Sequence, residues 1–173
     1  MTTPTVLRAA TSALALLFLV GYADAQNRAT TGSAPSESPF SPLAGAWSGS
    51  GTIDLANGRH EPITCRASYD VLEQQSKLQL NIRCASQSYN FDLRASAAYS
   101  GHSITGNWSE STRNAAGTLS GKVEGAGFQV VAKSQAFGAN LSLVTQGNKQ
   151  SVTIRSQDEK TEVRGATITL QRG

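Results

Sequence analysis

Residues 64–84 read TCRASYDVLEQQSKLQLNIRC. Folded back between Gln74 and Gln75, the stretch pairs Cys65 with Cys84, Ala67 with Ile82, Tyr69 with Leu80 and Val71 with Leu78. Arg66–Arg83, Ser68–Asn81 and Asp70–Gln79 fall on the alternate positions. One face is apolar and the other polar, the period of two that an antiparallel pair with one buried side requires. The same register sets the two cysteines of the chain opposite each other. A cross-strand disulfide is expected, closing a loop of about twenty residues and stabilising the domain by ~3 kcal/mol through its unfolded chain. Two cysteines are too few for a structural zinc, and redox pairs usually sit two residues apart at a helix start.

The N-terminus suggests the compartment. Arg8 precedes a short apolar run, SALALLFLV at 12–20, and Ala23-Asp24-Ala25 follows the small-x-small cleavage rule. Residues 1–25 are therefore read as a signal peptide, with Gln26 as the mature start and a periplasmic or secreted destination. The run is too short to span a bilayer, which takes ~20 apolar residues. Residues 26–42 (QNRATTGSAPSESPFSP) are rich in Ser, Thr, Pro and Ala, the composition of a disordered leader or linker. Residues 43–173 are read as one β-barrel domain.

In that domain no segment has helical periodicity. Alternating stretches are separated by turns expected at Asn57-Gly58-Arg59, Gln74-Gln75, residues 85–88, Ser100-Gly101, Asn114-Ala115, Gly125-Ala126, Ala136-Phe137, Gly147-Asn148 and around Lys160. Every hairpin so formed keeps its apolar set on one face. A ten-strand meander with a single buried face closes most naturally into an up-and-down barrel. Arg66, Asp70, Arg83, Asp92, Arg94, Lys122, Lys133 and Arg155 fall on the outer face, which argues for a water-soluble barrel and against membrane insertion. The net charge of +3 is spread singly over the chain, without the clustering a nucleic-acid surface needs.

The inward face is rich in small residues: Gly49, Gly51, Gly106, Gly121, Ala67, Ala95, Ala97, Ala132, Ala139 and Ala166. Two readings stand. Inward glycines permit the sharp coiling of a closed barrel whose middle the aromatics fill, which is the reading preferred from sequence. Otherwise the small residues leave a cavity, whose wall would carry Tyr69, Phe91, Leu93, Trp108 and Phe128, an apolar lining suited to a small molecule.

Leu43-Ala44-Gly45-Ala46-Trp47 resembles the Gly-x-Trp opening of lipocalins and their calycin relatives. That resemblance implies that Trp47 plugs one end of the barrel and that an arginine of the last strand, Arg172 here, lies over it. The stretches GAWSGSGTI, ITGNWSE and QSVTIRSQ, with the two cysteines, resemble a group of small exported proteins of alphaproteobacteria that carries no assigned activity. The leader, the Leu-x-Gly-x-Trp and the single disulfide are also similar to bacterial inhibitors of secreted metalloproteases, which implies an arm, 26–42, entering a protease cleft.

Catalytic chemistry finds little support. His60 and His102 follow odd and even turns and so lie at opposite barrel ends, unable to share a metal or a proton relay. Glu61, Glu110, Arg164 and Arg172 are charged residues of inward parity, each near a strand end, and rim salt bridges are expected of them. No catalytic, cofactor or metal-binding residue is assigned. The expectation is a non-enzymatic exported barrel with a small apolar ligand or an exported protein as partner, the alternative being a protease inhibitor acting through the leader.

Overall fold

Alternation carried through ten consecutive segments leaves one apolar face, and burying that face without exposed edges requires closure. The computed structural model describes residues 38–74 and 76–173. The strands are β1 (Gly45–Leu55), β2 (His60–Leu72), β3 (Lys77–Ala85), β4 (Asn90–Ser100), β5 (Ser103–Glu110), β6 (Ala115–Glu124), β7 (Gly127–Lys133), β8 (Gly138–Gln146), β9 (Lys149–Ser156) and β10 (Val163–Arg172). Each pairs antiparallel with its neighbours in sequence, and β10 closes against β1. Cys65 pairs with Cys84 in the β2–β3 hairpin, and a disulfide joins them across Cα atoms 4.1 Å apart.

Several turns differ from their expected positions. Ser100 pairs with Ser103, so Gly101-His102 makes the turn, with φ of 54° and 71°. Two positive values fit the tight hairpin turn whose twist matches the flanking strands. Asp54 pairs with His60 and the first loop is residues 56–58; Ala85 pairs with Asn90 across residues 86–89; Lys133 pairs with Gly138 across residues 134–137. These displacements move each partner by two residues. At residues 111–114, where Glu110 meets Ala115, the displacement is four. All are even, so no side chain changes face.

One charged residue is re-aimed. A bulge between Asp54 and Leu55 sets Leu55 opposite Val163 rather than Arg164. An extra residue in one strand breaks the parity from which Arg164 was read as inward, and Val163 takes that place.

The ordered domain also begins before Leu43. Phe40, which composition places in a leader, is 2% exposed and stacks on Phe128 at 5.8 Å, with its edge toward Tyr99 at 6.2 Å. A ring of that size is worth ~2 kcal/mol when buried, enough to hold a short segment otherwise lacking apolar groups. Residues 1–37, with the cleavage site and most of the leader, lie outside the described residues.

The glycines of β1 serve curvature. A Cβ on Gly51 would stand 2.7 Å from Ile168 Cα, and one on Gly49 2.9 Å from Leu170 Cα. Both face inward, where β1 coils tightly against β10 and leaves no room for a side chain.

Candidate functional site

The barrel is hollow. It encloses a cavity of about 570 Å³ whose wall is almost wholly apolar. Inward side chains of β3, β4, β6, β7 and β8, among them Leu80, Ile82, Leu93, Leu119, Val130 and Leu141, are only half-buried because they look onto this space. The preference for a filled middle is thus corrected. Coiling and hollowness turn out to be compatible, since the glycines tighten the wall while the aromatics lie along it rather than across it.

One end is sealed. A 3₁₀ turn at Ser41–Leu43, started by Pro42 near its N-terminus, lies across the barrel beside the even-numbered turns, with Leu43 buried. Its carbonyl groups are taken up by two side chains. Trp47 Nε1–H donates to the Leu43 carbonyl at 2.7 Å, while Arg172 donates from Nη2 to the Pro42 carbonyl at 2.6 Å and from Nη1 to that of Ala44. The Arg172 guanidinium also lies 4.4 Å over the Trp47 ring. Gly45, at φ 109°, lets the chain swing from this turn into β1. Deeper in, the Tyr69 hydroxyl donates to Gln150 Oε1 at 2.6 Å, and Gln150 Nε2 donates to Thr145 Oγ1 at 3.3 Å. Gln150 is fully buried, and burial drives the Tyr69 phenol well above its ordinary pKa despite that bond.

The other end carries the odd-numbered turns and a polar rim. Tyr89 and Phe91 stack at 6.3 Å, and the Arg113 guanidinium lies 4.5 Å over the Phe91 ring. Glu110, 6% exposed, accepts bonds from the backbone N–H groups of Asp92, Thr112 and Arg113 and from the Thr112 hydroxyl, with Arg113 Nη1 at 3.7 Å. Burial alone would raise its pKa; these donors outweigh it and hold the carboxyl below the usual range. Glu61 is lowered as well, by the Ser86 hydroxyl and the Ser88 N–H. The Tyr89 phenol is pushed up, first by its hydrogen bond to the Glu162 carboxylate. Backbone and hydroxyl donors thus do most of the work that sequence reading assigned to rim salt bridges.

The five residues named from sequence as a cavity wall, Tyr69, Phe91, Leu93, Trp108 and Phe128, all line the space. Phe40, Tyr89, Arg113, Phe137 and Glu162 line it too and were not named. All five lie outside the strands, where alternation carries no information. The signal that could have found them is a large aromatic, Phe40, Tyr89 or Phe137, in an otherwise polar connection. His60, at the start of β2, and His102, on the β4–β5 turn, stand outside the cavity at opposite ends, and His60 Nδ1 is 2.7 Å from Asp54 Oδ1. Among the described residues no group of histidines, cysteines and carboxylates is arranged to hold a metal ion.

No protein-family model matches the chain, and no curated protein matches its sequence. Solved structures do match in fold. Rv2717c from M. tuberculosis aligns over 81% of this chain and 98% of its own, with a TM-score of 0.63 at 12% identity. The S-type phycobiliprotein lyase CPES from Guillardia theta aligns over 78% and 90%, with a TM-score of 0.55 at 10% identity. Identities this low establish a shared barrel fold and nothing more. The likeness to alphaproteobacterial exported proteins gains no support from these comparisons.

Proposed function

We propose that the chain is a non-enzymatic, exported barrel that carries one small apolar molecule in its interior. The observation behind this reading is the cavity, about 570 Å³, apolar-walled and sealed at one end. Small-molecule sites commonly occupy ~300–1,000 Å³ with such walls and few polar groups. Export is supported by the signal-like residues 1–25 and by a disulfide, which persists in oxidising compartments. An inhibitor acting through its leader has less in its favour, because the described end of that arm, residues 38–42, folds into the barrel at Phe40.

Titration of the purified protein with N-phenyl-1-naphthylamine, an uncharged apolar fluorophore, tests the reading. Saturable enhancement with one site per chain is expected. Ala95 lines the space, so Ala95→Leu should weaken the probe at least tenfold while shifting stability by less than ~1 kcal/mol, since a hollow wall escapes overpacking. A folded wild type that gives no saturable signal would remove the carrier function.

A further inference from the structure

We infer that the ligand is an uncharged amphiphile bearing a carbonyl oxygen, such as a lipid ester or ketone, and that the oxygen takes the indole N–H of Trp108. This rests on the carrier reading and narrows it to a ligand class. Trp108 lines the cavity, is 7% exposed and sets its ring edge-on to Phe137 at 6.1 Å. Its Nε1 is the buried side-chain polar atom that has no hydrogen-bond partner among the described residues. A buried donor without an acceptor is costly and demands an explanation. The other interior polar groups have one: Tyr69, Gln150 and Thr145 satisfy one another, and Trp47 gives its N–H to Leu43.

That nitrogen lies against the β6 wall. Gly117 pairs with Trp108 on the adjacent strand, and a Cβ there would lie 2.9 Å from Nε1. The same Cβ would run into the Lys133 carbonyl oxygen, so the glycine answers to strand packing. The N–H is buried, and a ligand's acceptor reaches it by a turn of the Trp108 ring toward the cavity that the residue lines.

Charge decides against an acid. Arg113 is the one cation in the cavity wall among the described residues, and it is already committed to Glu110, the Asn90 carbonyl and the Phe91 face. Two carboxylates, Glu110 and Glu162, share the wall with it. A ligand carboxylate would be desolvated without a free counter-charge and beside like charges. An ammonium head finds Glu162 only at the exposed rim and nothing in the interior. A neutral carbonyl satisfies the orphan donor without either penalty.

A matched series displacing N-phenyl-1-naphthylamine at pH 7 tests the inference: methyl decanoate, undecane, decanoate and decylamine. The ester should displace the probe about three- to tenfold more tightly than the alkane, the range of one neutral hydrogen bond. Decanoate and decylamine should each be more than tenfold weaker than the ester. In a ¹⁵N–¹H spectrum the Trp108 indole signal should move downfield with the ester and not with undecane, while that of Trp47 stays in place. Trp108→Phe should abolish the preference for ester over alkane and leave undecane unchanged. The inference is overturned if the acid or the amine binds most tightly, or if ester and alkane are equal with the Trp108 signal unmoved. Absence of displacement by every member, with the probe itself unbound, would instead remove the carrier reading beneath it.

Discussion

The sealed end and the hollow wall are made from the same kind of strand, yet they solve different problems. At the sealed end Phe40, Leu43, Trp47, Tyr69 and Leu170 are almost fully buried, and the polar atoms among them are paired. Along β3, β4, β6 and β8 inward residues such as Leu80, Leu93, Leu119 and Leu141 stay half-buried beside the cavity, and the unpaired indole N–H of Trp108 belongs to this region. Apolar surface removed from water stabilises a fold only where something packs against it. The barrel therefore concentrates its stability at one end and along β1, β2 and β10, which leaves the opposite wall free to tolerate a void.

This division can be broken first at Trp47. Trp47→Ala should destabilise the domain by about 3–5 kcal/mol, because it removes a buried ring together with the partners of Leu43 and Arg172. Phe137→Ala, at the rim of the hollow wall, should cost about 1 kcal/mol or less. Urea unfolding of both variants compares the two regions directly, and equal losses would erase the distinction.

The disulfide comes next. Replacing Cys65 and Cys84 together by Ala should cost ~2–4 kcal/mol, chiefly through the unfolded chain, without altering the far-ultraviolet circular dichroism of the barrel. Mass measurement after alkylation of the purified wild type should show no free thiol.

Tyr69→Phe probes the polar contact behind the plug. It leaves the Gln150 Oε1 buried without its donor, at a cost of ~1–3 kcal/mol at pH 7. The pH dependence has a definite sign. The folded phenol has a raised pKa, so its contribution is intact below the unfolded value of 10.0 and is lost as the pH rises toward the folded one. The gap between wild type and variant should narrow above pH 10.0, which alkaline thermal melts can follow.

Glu110 at the rim gives a smaller effect than Tyr69 and the opposite sign. Its folded pKa lies below the unfolded value of 4.5, so its stabilisation is present above pH 4.5 and is lost as the pH falls toward the folded pKa. Glu110→Gln should cost about 1 kcal/mol at pH 7 and flatten the acid limb of the stability curve below that point. An unchanged acid limb would mean that the rim donors do not hold the charge.

What the chain determines by itself is parity. Inward and outward sets were readable in every strand because alternation of Trp47, Ile53, Tyr69, Leu80, Leu93, Trp108, Phe128 and Leu170 with polar neighbours has only one burial solution. Position along the strand was less readable: a slip of two residues keeps every face, so Gly101-His102 and residues 111–114 emerged as turns only when strands met their partners. Parity also failed at Arg164, where a bulge adds a residue that no local pattern announces. The wall residues Tyr69, Phe91, Leu93, Trp108 and Phe128 were named from alternation, whereas Phe40, Tyr89 and Phe137 arrive from connections whose course is set by packing. Tertiary structure alone decided that the barrel is hollow. Composition reports how many large side chains point inward, but the volume they must fill depends on barrel radius and on rotamers, which exist only once ten strands have closed.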